Sequence, residues 1–418
     1  MVALVGCRSA ETGPSRVVTL ESIGIMLREG RIERAVEEIE KLQPLDSGDH
    51  ELAQWDSALA ELLWRDDDAI RHQLDAVRRA RIARVDGDTD AMLRGRLGDL
   101  LFQAGRYGEA TVPLEAGAVG SQSDRRSAFA AVSRLLPFTL RQTGPLLTEQ
   151  QLVGAGIPEF VCRAGGLQRS FAIDTGTSMT TLSSSMASEL GVRGRRPAGS
   201  VVDSMGGVVP VEVGVLTRFA VGDVDVGDVP VLIVEDAAMT LRDLYGGDEQ
   251  VPRGVLGLNL LGTFRMTVDP ERNSVTFELP RRLPAMGSVQ CVRANGRCLV
   301  PVTIDSGRLW FVLDTGASHS SLTPSGMACL SAGRRAVPAF RRVRSVGGGQ
   351  IAVREVCDLV LRVSEARFRG VVLPIIPRDP GGSFPVHGVL GMDLLGRCRL
   401  TLDSGRARVQ PHDPDTGW

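Results

Sequence analysis

The spacing of apolar positions changes near residue 145. From about residue 20 to that point they recur at three and four, as in Ile32, Val36, Ile39 and Leu42, and again in Leu59, Leu62 and Leu63. That spacing lays one apolar stripe along an α-helix, so the first third of the chain is predicted to be helical. Beyond residue 150 Val, Thr and Gly dominate and apolar runs shorten. Gly-Gly, Ser-Gly and Asn-Gly pairs separate them, which predicts strands and hairpins.

The strand-rich part repeats itself. Phe171-Ala-Ile-Asp174-Thr-Gly-Thr-Ser178 and Phe311-Val-Leu-Asp314-Thr-Gly-Ala-Ser318 lie 140 residues apart. A glycine pair follows each, Gly206-Gly207 and Gly347-Gly348, 32 and 33 residues after its Asp. Then come Val255-Leu-Gly-Leu-Asn-Leu-Leu-Gly262 and Val389-Leu-Gly-Met-Asp-Leu-Leu-Gly396, each running into a strand that ends in Asp269 or Asp403. The copies meet near Pro280-Arg-Arg-Leu-Pro284. The domains expected are therefore a leader over 1–20, a helical domain over 21–148, and β lobes over 150–282 and 283–418.

Composition narrows the chemistry. The chain has 418 residues, 43% of them hydrophobic, and a net charge of −2, which gives no reason to expect a nucleic acid or an acidic membrane as partner. Lys41 is the only lysine, so neither a Gly-Lys-Ser/Thr phosphate loop nor a Ser-x-x-Lys nucleophile can be built. There is no His-Glu-x-x-His, the five histidines are scattered, and the seven cysteines lack Cys-x-x-Cys spacing. No metal and no cofactor are expected. Cys291 and Cys298 flank a predicted hairpin turn and fit either a disulfide or two core thiols.

The order apolar-apolar-Asp-Thr-Gly-x-Ser, glycine hairpin, apolar-apolar-Gly-x-(Asn/Asp)-Leu-Leu resembles the aspartic protease clan. Its compact halves resemble two retropepsin-like lobes fused in one chain. The fold this implies is multidomain α+β, with an N-terminal helical domain followed by a two-lobed all-β acid-protease barrel of six to eight strands per lobe. The segment 97–110 also resembles the middle of a tetratricopeptide repeat, in which Tyr107 and Ala110 would anchor the second helix. A repeat of that kind implies a protein partner on the helical domain.

The resemblance implies an aspartic endopeptidase acting on an extended, largely apolar peptide. Asp174 and Asp314 would face each other, share one proton and activate a water. Thr175 and Thr315 would hydrogen-bond across the axis, and Gly176 and Gly316 would let main-chain amides approach the carboxylates. Ser178 and Ser318 would orient the outer carboxylate oxygens, and a Thr177 hydroxyl opposite Ala317 would make the pair asymmetric. Gly206, Gly207, Gly347 and Gly348 would tip two flaps over the cleft. Asp305, in Ile304-Asp-Ser-Gly307, reads as a hairpin residue, and His319 is matched by Met179, so neither is assigned to the chemistry.

A non-catalytic peptide-binding scaffold is the rival function. The expected molecule is a monomer with both Asp residues in one chain, against a lobe-swapped dimer. The helical region could also lie across the cleft as an inhibitory segment. Finally, Leu4-Val-Gly-Cys7 resembles a bacterial lipobox. If translation starts upstream and supplies a signal, a periplasmic or membrane-anchored lipoprotein is expected through Cys7; otherwise the cytoplasm.

Overall fold

The computed structural model describes residues 20–42, 50–119, 123–135, 139–142, 148–153, 157–202, 207–239, 253–280, 283–294, 296–305, 307–330, 333–344, 350–379, 384–403 and 405–412. Cys7, the central arginines of 280–284, Tyr245 and the glycines Gly206, Gly347 and Gly348 lie outside them. Among the described residues no helix is long and apolar enough to cross a membrane.

Helices come first, at Leu20–Arg28, Ile32–Leu42, His50–Leu62, Asp66–Ala83, Gly87–Gln103, Tyr107–Ala116 and Ser123–Ser133. Asp86 caps the fifth by accepting the amide of Thr89, the interaction that satisfies one free donor at a helix start. Gly98 faces Leu114 of the next helix so closely that an added methyl would lie 2.7 Å from the Leu114 nitrogen. That glycine sets the spacing of the pair, with Tyr107 and Ala110 buried at its base. The strand region starts earlier than residue 150: Thr139–Gln142 already pairs with Val224–Gly227 of the first lobe. A four-residue strand carries too few positions to show a period of two in sequence.

The two lobes pass through the same succession of elements. In the first, Glu159–Ala164 and Leu167–Ile173 form a hairpin, Thr181–Ser183 leads into the short helix Ser184–Glu189, and the long strands Arg193–Val202, Val208–Val221 and Val224–Val234 follow. Gly254–Leu256 then inserts parallel to Leu167–Ile173. The second lobe repeats this with Arg297–Ile304, Gly307–Leu313, Ser321–Leu322, helix Pro324–Ala328, Val337–Arg344, Gln350–Val363, Ala366–Ile375 and Gly388–Leu390. Its insertion is again parallel, Leu313 opposite Leu390. Each barrel is closed by one further strand pairing, Ala164 with Phe219 and Ile304 with Leu361. Even the helix caps recur: Ser183 and Thr323, both buried, accept the amides of Met186 and Gly326.

Below the barrels the lobes share an antiparallel floor, ordered 289–290, 406–411, 398–403, 265–269, 274–278 and 148–153. Its centre is the pairing of Thr267 with Thr401, whose hydroxyls lie 3.0 Å apart. Here the approximate twofold axis leaves the molecule.

Apolar packing runs through each lobe, with Phe160, Phe171, Phe219, Phe264 and Phe277 in the first and Val300, Phe311, Leu361 and Leu373 in the second. Two further clusters weld the helices to the sheets. Ala60, Leu97, Leu101 and Phe129 pack on Val211, Val213 and Met179 of the first lobe. Ile23, Leu27, Ile32 and Leu59 pack on Leu299, Trp310 and Val312 of the second. The helices are thus continuous with the cores of both lobes. Trp310 carries one of these joints: its Nε1 donates to the Gly30 carbonyl at 3.2 Å, and Phe384 packs edge-on at 5.5 Å. Trp310→Ala is expected to lower unfolding stability by about 3–5 kcal/mol. Helical and β signals should melt together in denaturant; two separated transitions in the parent chain would contradict the joint cores.

Candidate active site

Each Asp-Thr-Gly sits where one strand runs out beside another. The amide of Asp174 donates to the Leu256 carbonyl at 3.1 Å, and that of Asp314 to Leu390 at 3.1 Å, so the inserted parallel strand fixes where each carboxyl emerges. The two loops meet head to head. Thr175 Oγ1 donates to the Leu313 carbonyl at 2.6 Å and accepts the Thr315 amide at 3.2 Å. Thr315 Oγ1 donates to Ile173 at 2.7 Å and accepts the Thr175 amide at 3.1 Å. Both threonines have no exposed surface. Four crossed bonds therefore tie the loops together.

The glycines act across the axis as well as within their own loops. Gly176 and Gly316 donate to Oδ1 of their own Asp at 2.8 and 2.9 Å. In addition, a methyl on Gly176 would overlap the Asp314 carboxyl, and one on Gly316 the Asp174 carboxyl. Absence of a side chain is what allows the two carboxyls to approach.

The carboxyls of Asp174 and Asp314 meet in hydrogen-bonding contact. Each is half-buried, keeping one accessible edge. Burial raises the proton affinity of Asp174 well above the usual carboxylate range, and the negative charge of Asp314 adds to it. Burial also raises Asp314, opposed by the Asp174 hydrogen bond, the amides of Gly316 and Ala317, and the charge of Arg297. One proton held between two carboxyls titrates as a property of the pair.

Two expectations are corrected. Ser178 and Ser318 are exposed and do not hold the carboxylates; Ser318 Oγ bonds His319 Nδ1 at 2.9 Å. Nor does the Thr177 hydroxyl single out one Asp, because main-chain amides of Thr177 and Ala317 make the same contact in both loops. The side chain at that position is not needed for it. Asp305 is a hairpin residue, left-handed at φ 54° and paired with Arg334 at 2.8 Å. Cys291 and Cys298 are buried free thiols, in mutual contact through a hydrogen bond.

A second matched pair supports the loops from below. Thr180 and Ser320, both fully buried, donate amide and hydroxyl to Oδ1 of Asn259 and Asp393, at 2.7 and 3.0 Å and at 2.8 and 2.7 Å. These residues lie six beyond each Asp, and their acceptors sit inside the two Leu-Leu-Gly motifs. The equal offsets were visible in the repeat, but nothing local joined position 180 to 259. The strand pairs Val202 with Val208 and Arg344 with Gln350 are described on either side of the two segments expected as flaps. Of the four glycines expected there only Gly207 is described, and it is exposed.

Residues 161–260 and 300–394 each match the family described as Aspartyl protease. Both lobes are similar to that family. Solved structures similar to the chain include a retropepsin-like aspartic protease from Rickettsia conorii, 16% identical over 34% of this chain and 96% of that one, with a TM-score of 0.25. An aspartic proteinase from Irpex lacteus is 11% identical over 65% of this chain and 98% of that one, TM-score 0.40. No curated protein matches the chain.

The threonine bonds between the protease lobes are open to direct test. Thr175→Val keeps the shape but strips a buried carbonyl and a buried amide of their partner, at about 1–3 kcal/mol for each group left unpaired. Denaturant unfolding is expected to show a loss of about 2–5 kcal/mol; a neutral result would contradict the crossed network. The raised carboxyls give a second expectation. A folded pair that retains a proton the unfolded chain has lost opposes folding at neutral pH, and the penalty vanishes as pH falls to the unfolded carboxylate range. Asp174→Asn should therefore melt above the parent at pH 7, with the gap closing below about pH 4. A gap that is constant with pH would sink this reading.

Proposed function

We propose that the chain is an aspartic endopeptidase whose single site is completed by its own two lobes. The observation that carries the proposal is the contact of two half-buried carboxyls, Asp174 and Asp314, at the junction of the matched loops. A carboxylic acid beside a carboxylate is the combination that hydrolyses an amide through bound water. Asp314 takes a proton from that water as its oxygen attacks the peptide carbonyl carbon. Asp174 donates its proton to the carbonyl oxygen, which becomes a hydroxyl of the tetrahedral intermediate. On collapse the nitrogen takes the proton from Asp314, the C–N bond breaks, and a hydroxyl proton returns to Asp174. The dyad ends as it began, and no covalent enzyme intermediate forms.

Around it, Thr175, Gly176, Thr315 and Gly316 hold the carboxyls, and the strand pairs Arg193–Val202 with Val208–Val221 and Val337–Arg344 with Gln350–Val363 cover an extended, largely apolar peptide. Ser178 and Ser318, exposed beside the carboxyls, line the cleft. One chain suffices because the threonine bonds form within it. The helices act as a tetratricopeptide-like docking region for a protein partner through the faces that the two lobes do not cover.

The parent, Asp174→Asn and Asp314→Asn should be incubated with a diverse peptide pool from pH 3 to 7. Cleavage by the parent alone is expected, each substitution lowering kcat/KM by about 10²–10⁴-fold. The parent's profile should be bell-shaped. Its alkaline limb, set by loss of the Asp174 proton, should fall above the ordinary carboxylate range. Equal cleavage by all three, or binding without cleavage by the parent, would leave a peptide-binding scaffold instead.

A further inference from the structure

The two halves of the cleft differ in charge at one matched position. Phe160 opposes Phe171 in the first lobe and Val300 opposes Phe311 in the second, so Arg297 occupies the place that Ile157 holds in the first lobe. Arg297 begins the strand Arg297–Ile304 and pairs with Ala294 across a tight hairpin.

That hairpin is fixed from outside. Arg293, on its opposite face, forms an ion pair with Asp66 and lies over the Trp64 ring at 4.8 Å. Its turn reaches across the axis into the other lobe: a methyl on Gly296 would lie 2.7 Å from the Ser178 Cβ. Ser178 is exposed and four residues past Asp174. The hairpin tip therefore stands at the rim of the first Asp loop, and Arg297 stands with it.

The two arginines on this hairpin differ in one respect. Arg293 is engaged. Arg297 is half-buried, and among the described residues it has no hydrogen-bond or salt-bridge partner. A guanidinium withdrawn from water without a counter-ion is costly unless something supplies one. Its field reaches the cleft floor, where it opposes the rise of Asp314. Asp314 is occupied by the shared hydrogen bond and by its loop amides, leaving the five guanidinium donors for another acceptor.

We propose that Arg297 is a specificity-determining residue that receives the side-chain carboxylate of a glutamate or aspartate in the bound peptide. The substrate is then a largely apolar segment with one acidic residue flanking the scissile bond on the Arg297 side. Ile157 makes the matched position on the other side apolar, so the preference has a direction along the peptide. The inference rests on the endopeptidase reading. A pairing of this type in a partly dry cleft is worth roughly ten- to a hundredfold in kcat/KM.

The test takes one peptide that the full chain cleaves and places Glu, then Gln, at each position flanking the scissile bond. At one position the parent should cleave the Glu peptide about tenfold or more faster. Arg297→Ile, which copies the first lobe, should bring that ratio to one while still cleaving the Gln peptide, and Arg297→Lys should retain part of it. Amidating the peptide's C-terminus should change nothing; a preference abolished by amidation would assign Arg297 to a chain terminus and overturn the proposal. Equal Glu and Gln rates in the parent, or a ratio untouched by Arg297→Ile, would also overturn it. If the parent cleaves no peptide, the endopeptidase reading fails separately, and calorimetry with the same peptides on the Asp174→Asn chain decides the matter. Tighter Glu binding that depends on Arg297 keeps the subsite, and equal binding removes it.

Discussion

Two carboxyl groups placed side by side and withdrawn from water repel and desolvate each other unless one keeps its proton and both backbones are held in register. The crossed bonds of Thr175 and Thr315 provide that register: each hydroxyl donates to a carbonyl and accepts an amide of the opposite loop. Everything around them serves the same end. The inserted strands Gly254–Leu256 and Gly388–Leu390 set the height of the loops. Asn259 and Asp393 grip the following turns, and the Thr267–Thr401 pairing fixes the lobes at the floor. An error of an ångström at any of these would part a hydrogen bond whose geometry allows only tenths.

The duplication is close in backbone and looser in side chain. Asn259 is matched by Asp393, Met179 by His319, Thr177 by Ala317, and Ile157 by Arg297. The first pair keeps its acceptor, because Oδ1 receives the amide and hydroxyl in both lobes. The last does not keep its chemistry. Meanwhile the helices cover the first lobe through Val211 and Val213 and the second through Trp310 and Val312. With their apolar faces committed to both lobes, they limit how far one lobe can rotate against the other.

Much of this was legible in the sequence because a repeat carries its own control. A single Asp-Thr-Gly is an ordinary turn, but two with matched followers define two loops, and the threonine bonds between them were expected from the family resemblance alone. The division into helices and strands was visible in the change of period. Side-chain details were less visible. Ser178 and Ser318 looked like ligands of the carboxylates because they were near in sequence, yet the turn carries them outward to solvent. Thr180 and Ser320 went unnoticed because their partners lie 79 and 73 residues away. Strand Thr139–Gln142 is too short to announce itself, and the wrap of the helices over both lobes depends on contacts between stretches hundreds of residues apart. The Arg293–Asp66 pair spans 227 positions. Such long-range pairings leave no local period.

Neutron diffraction from the deuterated intact chain near pH 5 bears most directly on the shared proton. One deuteron between facing oxygens of Asp174 and Asp314, with the carboxyls in hydrogen-bond contact, is the predicted result. Two deuterated carboxyls turned away from each other, or two bare carboxylates separated by solvent, would contradict it.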